Sequence, residues 1–522
     1  MQELIHNPIL PGFHPDPSAI RVGDTYYVAV STFEWYPGVE IFASKNLRDW
    51  KSVARPLDTL DMLDMRGEEA SGGIWAPNLS WHDGLFHLVY TDMKSGRAPI
   101  KDLDNYLITA PDITGPWSER IFLNSTGFDP ALFHDDDGKK YLINMVVDFR
   151  PGHNRFGGIQ LQEYDPEAKR LIGEAHLIDK PRGLREGSNL YKIDGWYYLM
   201  IAEGGTGVEH STVLSRSKSI LGPYTDDPDH FLMTSRFAPF HPIQRAGHSS
   251  LIETPEGEWY LLHLASRPLS STGRCVLGRE CFLQKLDRTK DGWFRLVQGG
   301  VLPATDVEPP FPIEPEQKQV RWDYTFDGKL PDDFFTLREP ADPSLFDFST
   351  KKGTLCLHGR HSLFSTYGQA LAARRISHFF CTVTTHMTYT SGEFHKAAGL
   401  VALYDQENFF YLERSWDEEM GEVLLIAGCD NGTYTETDKT SYQREEIWLR
   451  MELSANKLQF LCSEDGKSYR TVGEKRDASI LSDEHCRIGR FTGAMVGICA
   501  QDLTGSFHSA DFDSFTYEAQ PS

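Results

Sequence analysis

No cysteine in this 522-residue sequence belongs to a CxxC pair. The eight that occur (Cys275, Cys281, Cys356, Cys381, Cys429, Cys462, Cys486 and Cys499) are scattered. Zinc sites and disulfide frameworks show tighter spacing, so reduced, buried thiols in a cytoplasmic protein are expected. Basic residues are in short supply: 52 Lys and Arg stand against 75 Asp and Glu, a net charge of −23. Phosphate backbones and anionic lipid surfaces both need a basic face, so neither nucleic acid nor membrane is expected as a partner. No apolar run approaches a membrane span, and the opening residues MQELIHNPIL lack the basic-then-apolar order of a signal peptide. Long amphipathic helical patterns are nearly absent as well.

What fills the chain instead is short runs of Val, Ile, Tyr, Phe and Trp between Gly, Asp, Asn and Pro, the pattern of an all-β protein. Aromatics make up 12% of the residues, enough for β-rich cores and for platforms on which sugar faces stack. One unit recurs five times: a lead residue, a short strand, a Gly-containing turn and an aromatic strand. The lead residues are Asp16, Trp75, Asp129, Glu186 and His248, spaced by 59, 54, 57 and 62 residues. A period of about 50 residues with four short strands in each indicates a β-propeller blade, and five repeats indicate five blades.

In a propeller the innermost strands converge on one axis, so residues in one slot of the repeat meet there. Read singly, Asp129-Pro130 is a strand-start turn, Glu186 a surface partner of Arg182 or Arg185, and His248 and Trp75 core residues. Shared occupancy of one slot argues otherwise. Asp16 lies in His14-Pro-Asp-Pro-Ser18, where the flanking prolines restrict the backbone and push Asp16 toward extended geometry. Clustered carboxylates repel and raise the pKa of at least one member, which suggests acid–base work. Two carboxyl groups on opposite sides of a glycosidic bond are the minimum equipment for its hydrolysis, and wide separation leaves room for a water and gives inversion.

Residues 1–300 are expected to form the propeller. Residues 301–320, opening with the Pro- and Glu-rich Val301 to Gln317, read as a stiff linker. Residues 321–522 show period-2 alternation, as in Ile447-Trp-Leu-Arg-Met-Glu-Leu453, and read as a β-sandwich, jelly-roll or concanavalin-like.

Several segments together resemble β-xylosidases of glycoside hydrolase family 43. They are Asn7 to Ser18, Ser31 to Val39, Ser71-Gly-Gly-Ile-Trp-Ala-Pro77, Gly127-Phe-Asp-Pro-Ala-Leu-Phe-His134 and Ala202-Glu-Gly-Gly-Thr206. The resemblance spans essentially the whole chain and implies a five-bladed propeller followed by a sandwich. It implies Asp16 as the general base, Glu186 as the general acid and Asp129 as the carboxylate that keeps the acid protonated and oriented. It also implies that Phe33, Trp75, Thr206, His248 and Arg279 bind the sugar, and that Phe491 of the second domain helps to close the pocket. Two departures lie nearby: the acid motif commonly continues Glu-Gly-Pro-His but here reads Glu186-Gly-Ser188-Asn189, and Asn144-Met145 is followed by Val146-Val147 rather than an aromatic.

The sequence thus reads as an exo-acting, inverting β-xylosidase that trims xylose from short xylo-oligosaccharides. A small neutral oligosaccharide is the partner, and a homo-oligomer is compatible with the reading. The chemistry requires no cofactor, with room left for a structural divalent cation near the axis. The alternatives are an α-L-arabinofuranosidase or a bifunctional enzyme, a retaining fructosidase-like enzyme, and a non-catalytic sugar-binding propeller.

Overall fold

Alternating apolar residues between tight turns fold into strands nearly throughout the computed structural model, which describes residues 3–96, 99–315, 318–488 and 490–520. The only helical element among them is the 3-10 turn Ala478–Ile480. No helix among the described residues is long and apolar enough to cross a membrane. The chain divides into two compact units: residues 1–58, 72–267 and 279–315 form the first, and residues 59–71, 268–278 and 316–522 the second.

The first unit is the five-bladed propeller. Its five four-stranded antiparallel sheets follow one another along the chain, over 18–54, 73–124, 127–179, 185–234 and 244–296. The first strand of each blade is Ser18–Val22, Gly73–His82, Gly127–His134, Arg185–Ile193 or Gln244–Glu253. These edge strands touch in cyclic order, the fifth against the first, and so surround the axis. The hairpins behind them are the tight turns expected from their sequences. Asp83-Gly84 and Asp194-Gly195 both take positive φ at each central residue, which a two-residue turn between twisted strands needs.

Period-2 alternation decides which blade interface each side chain joins. In the second strand of blade five, Tyr260 and Leu262 pack toward blade one, with Val28, Val30 and Phe42. Leu261 and Ala265 point the other way, toward Met200 and Leu214 of blade four. Leu199 and Ile201, flanking Met200, turn back toward Ile143 and Leu161 of blade three. Each fully buried Val, Leu or Phe stabilises by about 1.5–3 kcal/mol, so the core is a series of wedges between blades.

Part of the stretch 301–320, expected as a stiff linker, packs on the propeller. Asp306–Val307 pairs with Ile5–His6, Val307 is buried in the wedge between blades five and one, and Ile313 packs beside it. Tyr260 donates its hydroxyl proton to the Glu308 carbonyl at 2.9 Å. Proline is tolerated at a sheet edge, so a Pro-rich segment can close a ring as well as bridge domains. Residues 316 and 317 of the expected linker lie outside the described residues. From the N-terminal side, Asn7 exchanges two side-chain bonds of 2.8 Å with the Leu283 main chain of blade five.

The second unit is a sandwich of an eight-stranded and a six-stranded antiparallel sheet. Their facing sides share one core, with Val383, Leu449, Phe512 and Phe515 from the larger sheet and Leu400, Leu412, Leu424 and Ile498 from the smaller. Two short segments distant in sequence complete it. Val276 and Leu277 enter that core, with the Ala494 N–H on the Val276 carbonyl at 2.9 Å. Arg338 donates from Nε to the Glu68 carbonyl at 2.7 Å. Nothing in the composition of 59–71 or 268–278 marks them as sandwich residues, so the contiguous 1–300 boundary missed them.

Candidate active site

Near the start of each innermost strand the backbone makes the same excursion. Asp16, Ala76, Asp129, Gly187 and His248 take φ of 54°, 37°, 55°, 59° and 44°. In blades two to five the ladder register shifts across this point, the mark of a β-bulge. This corrects two expectations. Asp16 and Asp129 are left-handed rather than extended, despite the prolines that follow them. Asp adopts this conformation more readily than most residues, and here both carboxylates are held by distant partners, Asp16 by Ser31 and Asp129 by the Gly187 N–H. The repeat slot is also displaced in two blades: the backbone equivalents of Asp16 are Ala76 and Gly187, so Trp75 and Glu186 each sit one residue ahead of it. Non-glycine residues held at positive φ cost of order 1–3 kcal/mol each, and such strain clusters at functional sites.

The bulges bring the expected acids to the axis. Asp16, Asp129 and Glu186 are 7%, 8% and 9% exposed. Asp16 accepts from Ser31 Oγ at 2.6 Å on Oδ2 and faces His248 Nδ1 at 3.3 Å with Oδ1. Ser31 Oγ in turn accepts the Ala76 N–H at 2.8 Å, which ties the carboxylate to blade two. Asp129 Oδ2 accepts the Gly187 N–H at 2.8 Å, next to Glu186. Glu186 does not pair with the neighbouring arginines: Arg185 is taken by Glu203 and Asp179, and Arg182 by Asp179 and Asp226.

These surroundings drive the three carboxyl groups apart. Burial works against ionisation of Asp16, but the His248 bond and charge, then Arg279 and Ser31, outweigh it and hold the group below its usual range. Burial pushes Asp129 up to about 6; His248 opposes this and the Asp16 charge adds to it. Burial and then the Asp129 charge push Glu186 up to about 8, against His248 and Arg279. For His248, burial is overcome by the Asp16 bond and charge and by the other two carboxylates, which raise it to about 9. At neutral pH the site therefore holds an ionised Asp16 against an imidazolium, and a protonated Glu186.

Arg279 is buried and its carbonyl accepts the His14 N–H at 2.9 Å. Phe33 and Trp75 are buried in an aromatic row with Phe13 and Phe128, at centroid distances of 5.8, 6.2 and 5.5 Å. Thr206 is half-buried on the loop between the second and third strands of blade four. Phe491 belongs to the second unit, half-buried, with its N–H on Ser71 Oγ at 3.3 Å. Among the described residues, no group of three or more His, Cys, Asp or Glu side chains is arranged to hold a metal ion.

Sequence reading missed Ser31 and His210. His210 is buried with Nδ1 on the Arg245 carbonyl at 2.9 Å, and burial drives it down to about 3, a neutral imidazole. Its signal was Gly247: a Cβ there would lie 2.5 Å from His210 Nε2, so only glycine admits the ring behind His248.

Residues 5–294 match glycosyl hydrolases family 43, and residues 323–518 match the β-xylosidase C-terminal concanavalin A-like domain. The chain belongs to glycosyl hydrolases family 43. This family-43 hydrolase is 44% identical to the xylosidase/arabinosidase 43B of Humicola insolens over 98% of its own length and 97% of that relative's. It is 42% identical to a β-xylosidase of Bacillus subtilis (strain 168), over 98% of this chain and 99% of the other. The crystal structure of a xylan β-1,4-xylosidase from Bacillus halodurans C-125 superposes with a TM-score of 0.96 at 46% identity, covering 98% of this chain and all (100%) of that one. The two matched regions take in both the propeller and the sandwich of this family-43 hydrolase.

Proposed function

We propose that this glycoside hydrolase releases xylose from the non-reducing ends of β-1,4-xylo-oligosaccharides by a single displacement with inversion. The observation that carries the reading is the opposite tuning of Asp16 and Glu186 in one buried cluster. Asp16, kept ionised by His248, takes a proton from a water as that water attacks the anomeric carbon. Glu186, kept protonated, gives its proton to the leaving glycosidic oxygen as the C–O bond breaks. Asp129 supplies the charge that keeps Glu186 protonated, and its bond to the Gly187 N–H fixes it beside the acid. Arg279 donates to hydroxyls of the terminal sugar, and Phe33 and Trp75 give the pocket its apolar wall. The names borne by the Bacillus relatives support xylose as the sugar.

No step asks for a cofactor, and the partner is a neutral oligosaccharide. Eight free, buried cysteines suit a reducing compartment, which supports a cytoplasmic enzyme. α-L-Arabinofuranosidase activity is the second reading, favoured by the dual name of the Humicola relative. Parallel kinetics on 4-nitrophenyl β-xyloside and 4-nitrophenyl α-L-arabinofuranoside decide between them, with the xyloside expected to have the higher kcat/KM. A strong preference for the furanoside would replace the first reading with the second. NMR of 4-nitrophenyl β-xyloside cleavage should show α-xylose first; β-xylose as the first product would reject the single displacement.

A further inference from the structure

Below the carboxylates, two asparagine amides tie the five innermost strands together. Asn78 Nδ2 donates to Asn189 Oδ1 at 2.8 Å and to Ser18 Oγ at 3.3 Å, and Asn78 Oδ1 accepts the Leu132 N–H at 3.1 Å. Asn189 Nδ2 donates to the Ser249 carbonyl at 3.0 Å. Ser18 follows Asp16 by two residues, Leu132 follows Asp129 by three, Asn189 follows Glu186 by three, and Ser249 is next to His248. The bonds therefore meet every blade at one level, just under the site. Each amide has only one workable orientation: Leu132 N–H can only donate and Ser249 C=O can only accept, so neither amide can be reversed.

Among the described residues the five sheets share no ladder pairing, and apart from the main-chain bridge between Phe33 and Ile74 of blades one and two the relative heights of their inner strands rest on side-chain bonds of this kind and on apolar contact between blades. Blade four is where this matters most. The strand that carries Glu186 enters the site through the left-handed Gly187 bulge, and Asn189 is its first side chain below that bulge with a bond across the axis. The same two positions, Ser188 and Asn189, are where the acid motif departs from its common form. An asparagine at 189 reaches Asn78 and the Ser249 carbonyl at once.

We propose that Asn78 and Asn189 are positioning residues, whose bridge from blade two to blade four holds Glu186 at the height from which it protonates the leaving oxygen. The proposal rests on the acid role given to Glu186 above. Neither asparagine touches the reacting atoms. A loose bridge lets the acid drift while leaving the sugar pocket and Asp16 in place.

The test compares xylobiose, whose leaving oxygen needs a proton, with 2,4-dinitrophenyl β-xyloside, whose leaving group needs little. Asn189→Ala is expected to lower kcat on xylobiose by about 10²-fold, the scale of a 1 Å misplacement. On the dinitrophenyl substrate kcat is expected to stay within about threefold, with KM unchanged on both, because only the acid has moved. Asn78→Ala should show the same selectivity. In the ratio of xylobiose to dinitrophenyl kcat the double variant should lose no more than the worse single variant, because the bond from Asn78 to Asn189 is the one both remove. Equal losses on the two substrates, a raised KM, or additive effects of the two substitutions would overturn the proposal. Where Asn189→Ala fails to fold, Asn78→Ser is read against the same outcomes, since serine ends one bond short of the amide nitrogen that donates to Asn189 Oδ1. A fault in the underlying reading shows separately: Glu186→Ala would then lose both substrates equally.

Discussion

Asp129→Asn isolates one electrostatic effect with little change of shape. Asparagine keeps an oxygen for the Gly187 N–H, now at 2.8 Å from Asp129 Oδ2, and tolerates the positive φ of 55° at this position. What it removes is the negative charge that, after burial, does most to raise Glu186 to about 8. Burial remains, so Glu186 should fall only part of the way toward its ordinary 4.5. A complete fall would leave about 0.3% of the acid protonated at pH 7, so the loss there has a ceiling of about 300-fold. At pH 8 each unit of fall costs about five- to tenfold. At pH 5 the acid is protonated in both proteins. Asp129, raised to about 6, is itself only about one-tenth ionised at pH 5, so the wild type already resembles the variant. The ratio of wild-type to variant kcat/KM on xylobiose should therefore be close to one at pH 5 and climb steadily to pH 8. The dinitrophenyl xyloside, which needs no acid, should show a nearly flat ratio. A ratio on xylobiose that is large and constant from pH 5 to 8 would refute the reasoning, because Asp129 would then act by structure and not by charge.

Glu186→Gln should raise thermal stability while removing turnover of xylobiose. A carboxyl raised from 4.5 to about 8 on folding gives full stability below pH 4.5 and loses it as pH rises toward 8, so the relief at pH 7 is about 3 kcal/mol at most. Differential scanning calorimetry should find the gain in Tm small at pH 4.5 and larger at pH 8; a gain independent of pH would contradict the raised pKa. His248→Asn withdraws the strongest influence holding Asp16 ionised, and asparagine accepts the φ of 44°. The acid limb of kcat/KM should move to higher pH, with more activity lost at pH 5 than at pH 7. An unmoved acid limb would mean that Asp16 is kept ionised without His248.

How much of this was legible in the sequence follows from what each feature depends on. The five blades could be read because a strand–turn–strand unit carries its own local signals, repeated with a regular period. Asp16, Asp129 and His248 could be read because they occupy the same place in that unit. The one-residue displacement of Trp75 and Glu186 could not, because a bulge is defined by the partner strand and not by the residue that makes it. The left-handed backbone at Asp16 and Asp129 went against the local influence of proline, and tertiary context won. Segments 59–71 and 268–278 escaped notice for a related reason: their membership of the second unit is written in bonds such as Ala494 to Val276 and Arg338 to Glu68, which link residues hundreds of positions apart.

The five left-handed excursions also explain how one repeated backbone yields an acid and a base from the same kind of side chain. Position in the fold is nearly equivalent for Asp16 and Asp129, and burial is nearly equal for all three carboxyl groups, so neither sets them apart. Partners do. Blade five offers Asp16 an imidazole at 3.3 Å, and blade one adds the Ser31 hydroxyl. Glu186 has arginines on either side in sequence, at 182 and 185, yet Asp179, Glu203 and Asp226 consume both. Those three acids thereby serve the chemistry at a distance. If Glu203 were removed, Asp179 alone would offset the Arg185 charge, and the added net positive charge next to Glu186 would favour its ionised form and remove the proton that the leaving group needs. Glu203 to Ala should accordingly lower the alkaline limb on xylobiose, while a merely structural role for the Arg185–Glu203 pair would change Tm and leave that limb in place.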